Sequence, residues 1–141
     1  MELDRYKALV DSIYLLTLGE AQSGYTPSEV LSYISLPIDY KRCQLYYDGT
    51  DVAGLVTWCW LTPDKGTRFL LDEYTPTEED YKLENPDGDY QLWGIEFITP
   101  YGHASQVMRH IRKLHKELYG TTTKVHFRRF SDRHKLHKRT F

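Results

Sequence analysis

Cysteine, long apolar runs and repeats are scarce in this chain of 141 residues. No apolar run approaches the roughly 20 residues of a membrane-spanning helix. The first residues are acidic and mixed, unlike a secretory signal. The two cysteines, Cys43 and Cys59, form no Cys-x-x-Cys pattern and lie in apolar surroundings, which predicts buried, reduced thiols. We therefore expect one cytoplasmic domain with one core, no membrane span and no disulfide framework.

Charge is small in total but uneven along the chain. The formal net charge is -2. From Arg109 onward 11 Lys and Arg face 2 Asp and Glu, a balance of +9, whereas the residues before it hold 7 against 18, a balance of -11. A basic region suits an acidic partner, such as a carrier protein, a nucleic acid or a phosphate group. The alternative is that the two regions neutralise each other within the fold or across a subunit contact.

Two helices and a hairpin are predicted in the first half. Apolar residues recur at helical spacing over residues 3–18 and predict a helix whose core stripe is Leu3, Tyr6, Leu9, Val10, Ile13 and Leu16. A second helix begins at Pro27, with Thr26 and Glu29 at the capping-box spacing, and ends at Pro37. Residues 43–61 predict a hairpin turning at residues 48–51, with a bulge at Gly54. A short helix begins at residue 62, before an acidic segment that extends to residue 89.

The second half centres on a strand, a turn and a helix. Residues 90–98 predict a strand, and residues 104–118 predict an amphipathic helix stopped by Gly120. The turn between them contains Gly102, which lets the backbone approach a ligand closely. A helix N-terminus also offers free N–H groups to an anion. We place a phosphate-bearing carrier here, while a tight turn without a ligand remains the alternative.

Residues 121–130 predict a charged edge strand, and residues 131–141 are basic without a core pattern, as in an arm or flexible tail. The order α-α-β-β-α-β-α-β favours an α+β fold with a mixed, mainly antiparallel sheet and helices packed on it. We expect one domain over residues 1–130 and a basic C-terminal tail over residues 131–141.

Several local patterns resemble the toxin-activating lysine acyltransferases, which fatty-acylate internal lysines of RTX haemolysins and have a fold related to the GNAT acetyltransferases. The resemblance runs from Pro27 to about Gly102. It includes the helix between two prolines and the hairpin with its Trp-containing second strand. Its most specific part is the family motif W-x-I-D-x-I-A-P-F-G, which is similar to Trp93-Gly94-Ile95-Glu96-Phe97-Ile98-Thr99-Pro100-Tyr101-Gly102. The resemblance therefore implies a single GNAT-like domain.

The resemblance also implies a reaction and its residues. The family transfers an acyl chain from acyl carrier protein to a lysine amine, using a histidine and the motif's aspartate. Ser23 and Glu96 occupy these two positions here. Glu20 or His103 could replace the missing histidine as base. The carrier's phosphopantetheine would supply the acyl group, with no other cofactor, at a donor-binding turn and helix formed by Tyr101, Gly102, His103, Ala104 and Arg109.

Other functions remain open at this stage. The loss of the family histidine is compatible with an acyltransferase fold that serves as a structural or assembly protein, as in a virion, with an acidic protein surface as its partner. Basic residues interleaved with Phe127, Phe130 and Phe141 could bind nucleic acid, although no recognised motif supports this. His134 and His137 lack accompanying cysteines or carboxylates, so we expect no metal site.

Overall fold

A five-stranded sheet with helices on both faces makes up the fold. The structure, a computed structural model, describes residues 4–19, 22, 24–130 and 136–141. The strands lie in chain order: β1 (Cys43–Asp48), β2 (Asp51–Leu61), β3 (Gln91–Ile98), β4 (Val125–Phe130) and β5 (Leu136–Thr140). Neighbouring strands are antiparallel except β3 and β4, which are parallel. The helices are α1 (Arg5–Leu18), α2 (Pro27–Val30), α3 (Leu36–Asp39), α4 (Pro63–Leu70), α5 (Glu78–Lys82) and α6 (Ala104–Tyr119). The predicted α+β class is confirmed.

Each face of the sheet has its own core. The alternating side chains of β2 point to opposite faces, and residues 52–61 are all buried. One face packs against the N-terminal helices, α4 and α5 through a cluster that includes Leu15, Ile34, Leu55, Leu61, Phe69, Tyr81 and Trp93. The other face packs against α6 through Val56, Trp58, Leu92, Val107, Ile111 and Phe127. Strand β2 is therefore buried on both faces of the sheet.

The hairpin and the capping box also form as predicted. Strand β1 pairs with β2 across the Gly49–Thr50 turn, and the register shifts between Tyr46 and Tyr47, beside Gly54. Thr26 Oγ1 accepts the Glu29 N–H at 3.3 Å, and Glu29 Oε1 accepts the Thr26 N–H at 3.0 Å. Both cysteines are free; Cys59 is buried and Cys43 is partly buried.

The second helix does not end at Pro37. A π-helical turn over Leu31–Ser35 follows α2 and leads into α3, which contains Pro37. The Leu36 N–H bonds the Leu31 carbonyl, five residues back, so the hydrogen-bond register has widened just before the proline. Proline removes one backbone donor and crowds the preceding turn, and a π-turn is a known way to accommodate such a disruption.

The sequence patterns did not predict two of the observed elements, α5 and β5. Helix α5 lies in the acidic segment, and its Tyr81 is fully buried. Strand β5 lies in the segment predicted as an arm or flexible tail and pairs with β4 from His126↔Thr140 to Phe130↔Leu136. The prediction of β4 as an edge strand is therefore wrong, because β4 has a neighbour on each side. Residues 131–135 of the predicted tail lie outside the described residues.

Helix α1 forms as predicted but is rotated relative to the predicted stripe. Leu16 is buried, whereas Tyr6 is 79% and Val10 66% exposed. The buried positions include Ala8 and Ser12, whose small side chains let the helix approach the sheet closely. The stripe prediction was wrong there because it ranked residues by hydrophobicity and ignored their size. None of the described helices is long and apolar enough to cross a membrane.

Gly94 allows β3 and β4 to lie close together, which yields a stability prediction. A Cβ at this position would lie 1.9 Å from Cε1 of Phe127. The Phe127 ring is held between Phe97 and Phe141. We expect Gly94→Ala to lower the free energy of unfolding by about 3 kcal/mol through overpacking, measured by urea denaturation. Phe127→Leu in the same background should recover part of the loss; an unchanged unfolding midpoint in Gly94→Ala would contradict this packing.

Candidate active site

A β-bulge in β3 turns Glu96 toward the N-terminal helices. Thr57 pairs with Glu96, but the next residue of β2, Trp58, pairs with Gly94, which leaves Ile95 as the extra residue. A bulge places two successive side chains on one face and is a frequent device for aiming a functional side chain. The Thr57 Oγ1 accepts the Glu96 N–H at 3.0 Å and so satisfies the displaced backbone.

The Glu96 carboxylate is buried and hydrogen-bonded. The residue is 4% exposed, so Glu96 is not an ordinary surface carboxylate of a strand. Among the described residues, Tyr25 donates its hydroxyl proton to Oε1, and Gln22 Nε2 donates to Oε2 at 3.2 Å. Tyr25 is partly exposed and stacks on Tyr33 at a ring separation of 5.2 Å. It therefore connects the buried carboxylate with the surface.

Burial dominates the electrostatics of this pair. Loss of solvent raises the pKa of Glu96, and the hydrogen bonds from Tyr25 and Gln22 together with the charge of Arg128 offset only part of that rise. Burial and the neighbouring carboxylate also raise the pKa of Tyr25. The carboxyl thus has a higher proton affinity than an exposed glutamate, while Tyr25 keeps its proton at neutral pH. Such a carboxyl is suited to general base chemistry.

A second buried carboxylate, Asp80, shows a structural role by contrast. It accepts bonds from Lys65 Nζ at 3.3 Å, Tyr74 OH at 2.5 Å and the Thr77 N–H at 2.8 Å. These donors cap α5 and fix it to α4. A counter-charge and a helix cap explain Asp80, whereas no ion pair to Glu96 occurs within the described part of the chain.

The predicted donor-binding residues gather at the start of α6. Gly102 has φ +90, the conformation that favours glycine, and Tyr101 and Ala104 are exposed. The first backbone bond of the helix runs from the Val107 N–H to the His103 carbonyl at 3.0 Å. The preceding N–H groups of the helix therefore have no intrahelical partner.

The pairing between β3 and β4 ends before Glu96. Their parallel pairing extends from Leu92↔Val125 to Gly94↔Phe127 and ends there. The later residues of β3 remain paired with β2, through Thr57↔Glu96 and Leu55↔Ile98. Their backbone groups on the β4 side are thus outside the ladder. We call this stretch of β3 without partners in β4, which runs from Glu96 toward the turn before α6, the opening between β3 and β4.

A basic groove of about 450 Å³ lies on the outer surface of α6. It is lined by Arg109, Arg112, Lys113, Lys116, Glu117 and Thr121. Four cations against one carboxylate give it a positive potential that suits an acidic protein surface. Arg128 also belongs to the basic region that begins at Arg109, but it has a different environment. Its Nη1 donates to the Phe69 carbonyl at 3.0 Å and to Asp72 at 3.2 Å, and its side chain is 9% exposed.

The structure describes only some of the predicted catalytic residues. Ser23 and Glu20 lie outside the described residues. His103 is not among the described groups that bond Glu96, and its Nδ1 is buried without a partner in the described part of the chain. Sequence reasoning missed Tyr25 and Gln22. The signal that could have found Tyr25 is its position just before the capping box of α2, within the segment that carries the family's histidine.

Among the described residues, no three His, Cys, Asp or Glu are grouped to hold a metal ion.

The comparisons with known proteins address the family. No curated protein matches this chain. The sequence model of the HlyC, or RTX toxin acyltransferase, family matches residues 1–139, nearly the whole chain, and so extends well beyond the motif of β3. With the described fold and the acidic residue at the motif position, this match shows that the chain belongs to the RTX toxin acyltransferase family.

Proposed function

We propose that this protein transfers an acyl group from acyl carrier protein to a lysine side chain of a protein, with Glu96 as the base that takes up the amine proton. The single observation that carries the proposal is the buried Glu96 carboxylate beside the opening between β3 and β4. Membership of an acyltransferase family supplies the reaction class.

The chemistry requires a base. The lysine nitrogen attacks the thioester carbonyl, a C–N bond forms, the C–S bond breaks, and the nitrogen loses a proton. Glu96 suits this role because its burial raises its pKa. With Ser23 at the position of the family's histidine, no histidine is available there, so the carboxylate itself becomes the proton acceptor.

The opening between β3 and β4 suits the donor. Residues 96–98 are extended strand that leads toward the turn before α6, so a phosphopantetheine arm laid along them would join that turn to Glu96. Its phosphate would bind the turn formed by Tyr101, Gly102, His103 and Ala104, and its amides would pair with the backbone of β3 beyond Gly94, in the manner of an added strand. The thioester would then lie beside Glu96.

Intact-protein mass spectrometry tests the proposal. The purified chain is incubated with acyl carrier protein bearing acyl groups of several lengths, together with a lysine-containing RTX domain. We expect acceptor molecules heavier by one acyl group, formed faster than in reactions that contain Glu96→Gln. Absence of transfer with every acyl length and acceptor would overturn the proposal.

A second candidate is an acyltransferase fold that binds its partners without turnover. The observation that favours it is the serine at the histidine position. In that case acyl carrier protein would bind the basic groove, yet the thioester would decay at the same rate with and without the chain. Surface plasmon resonance in parallel with mass spectrometry separates the two functions.

The basic groove carries a prediction about the carrier. Reversing two charges with Arg112→Glu and Lys113→Glu should raise KM for acyl carrier protein at least about 10-fold and leave kcat unchanged, because surface charges act on encounter. The steady-state rate is measured at several salt concentrations, and the variant should show the weaker salt dependence.

A matched variant controls for net charge. Lys41→Glu with Lys82→Glu alters the total charge equally, and both residues lie away from α6, in or beside the helices of the opposite layer. This variant should keep the KM of the wild type. Equal losses in both variants would remove the groove from carrier binding.

A further inference from the structure

Glu96 lies too deep to meet a lysine directly. It is 4% exposed, and its described contacts on the helical side are the hydroxyl of Tyr25 and the amide of Gln22. A lysine amine entering from the surface therefore meets another group before it meets the carboxylate. Of the two contacts, only the Tyr25 hydroxyl can both accept and donate a proton.

We infer that Tyr25 is a catalytic proton relay between the acceptor lysine and Glu96, an inference that rests on the proposed acyl transfer. As the lysine nitrogen attacks the thioester, its proton passes to the Tyr25 oxygen, and the Tyr25 hydroxyl proton passes to Glu96 Oε1. The C–S bond then breaks, and the proton returns from Glu96 through Tyr25 to the departing thiolate. The products are an amide and a thiol, with Tyr25 and Glu96 restored.

The surroundings of Tyr25 favour a relay over a tyrosinate base. Its pKa is raised, because burial and the Glu96 charge oppose ionisation, and Arg128 only partly counters them. Tyr25 therefore does not act as a tyrosinate near neutral pH. A concerted transfer of two protons, one to its oxygen and one from it, leaves that oxygen neutral throughout. The Tyr33 ring stacks on Tyr25 and holds the plane of the phenol. Gln22 holds the other carboxylate oxygen, which leaves Oε1 aimed at Tyr25.

Tyr25→Phe tests the relay because it removes one oxygen and keeps the ring. Single-turnover rates with acyl carrier protein should fall about 100-fold, while KM for the carrier stays within about 2-fold. Tyr74→Phe is the matched control: it also removes a tyrosine hydroxyl from a buried carboxylate, Asp80, but away from the site, and should keep the wild-type rate. Thermal unfolding of each variant reports its folding.

The double variant separates a relay from a merely structural contact. If Tyr25 and Glu96 act as one unit, Tyr25→Phe combined with Glu96→Gln should be no slower than the slower single variant. Multiplied losses would overturn the relay. Rates in mixtures of H₂O and D₂O give a second test on the unaltered protein: two protons in flight predict a curved dependence on the deuterium fraction, and a linear one would overturn the inference.

The same assays distinguish the inference from the function it rests on. Wild-type turnover with an unimpaired Tyr25→Phe variant would overturn the relay and leave acyl transfer standing. A wild-type chain that transfers no acyl group would overturn both. Turnover lost in Tyr25→Phe but kept in Tyr74→Phe, with both variants folded, is the expected result.

Discussion

Glu96→Gln is expected to reduce acyl transfer at least about 100-fold and, at neutral pH, to make the protein more stable. The loss of rate follows because glutamine cannot accept the amine proton, and general base catalysis typically contributes a factor of this size. The gain in stability follows because burial of the charged form is unfavourable in the native state. Glutamine keeps the shape and can still accept the Tyr25 hydroxyl bond.

The sign of the stability effect depends on pH. The unfolded chain releases the Glu96 proton near the ordinary pKa of 4.5, whereas the native state releases it at higher pH. Native wild-type protein thus loses stability as pH rises through the native pKa of Glu96, and the glutamine variant does not. The advantage of the variant should be present at pH 7 and vanish below about pH 4, as measured by urea unfolding at both values.

Asp80→Asn provides the control with the opposite result. Asp80 is as buried as Glu96, but Lys65 lies 3.3 Å away and Thr77 donates a helix-capping bond. Removing this charge leaves the lysine without its partner, so stability should fall while acyl transfer stays at the wild-type rate. Wild-type activity in Glu96→Gln would remove the carboxylate from the mechanism, and a loss of stability in that variant would contradict the stated electrostatics.

Local patterns allowed much of the fold to be predicted. Thr26 and Glu29 formed the capping box because its two hydrogen bonds lie within one helical turn. The hairpin turned at Gly49, which adopts the required positive φ of 63. Gly54 marked a bulge for the same local reason. Each prediction depended on residues a few positions apart, where sequence spacing and spatial distance are nearly equivalent.

The failures depended on distant partners. Strand β5 carries a charged pattern that gives no core signal, and it forms by pairing with β4. Helix α5 has five residues, too few to show the hydrophobic periodicity of a helix. It is held in place by Tyr81, which lies in the core, and by the buried Asp80. The buried face of α1 was set by the fit of Ala8 against the sheet. Tertiary packing decided all three.

The sequence allowed the position of Glu96 in the candidate site to be predicted, but not the bulge that orients its side chain or the residues that contact it. The motif resemblance located Glu96, yet strict alternation along β3 gives no sign that a bulge turns it into the helical layer. The contact between Tyr25 and Glu96 joins residues 71 positions apart. Since no periodicity relates them, the tyrosine entered the mechanism only once the fold was known.

A buried histidine is expected to make the protein sensitive to mild acid. His115 on α6 is 1% exposed and packs on Trp58 at a ring separation of 4.7 Å. Neither ring nitrogen has a hydrogen-bond partner in the described part of the chain. Burial lowers the pKa of His115 to about 4, from an ordinary value of 6.5. The native state therefore holds this ring neutral at a pH where the unfolded chain protonates it.

The stability lost to acid follows from these two pKa values. Below pH 6.5 the unfolded state binds a proton that the native state refuses, so the free energy of unfolding falls until the pH reaches about 4. The full loss is about 3 kcal/mol at about 1.4 kcal/mol per pKa unit. His115→Leu should be less sensitive to pH over this interval by about that amount, measured by urea unfolding between pH 7.5 and 4. His110→Gln removes an exposed histidine of the same helix. This variant should keep the pH dependence of the wild-type free energy of unfolding. Parallel curves for the wild type and His115→Leu would contradict the prediction, because they would show that the buried ring takes up its proton in the native state as readily as in the unfolded chain.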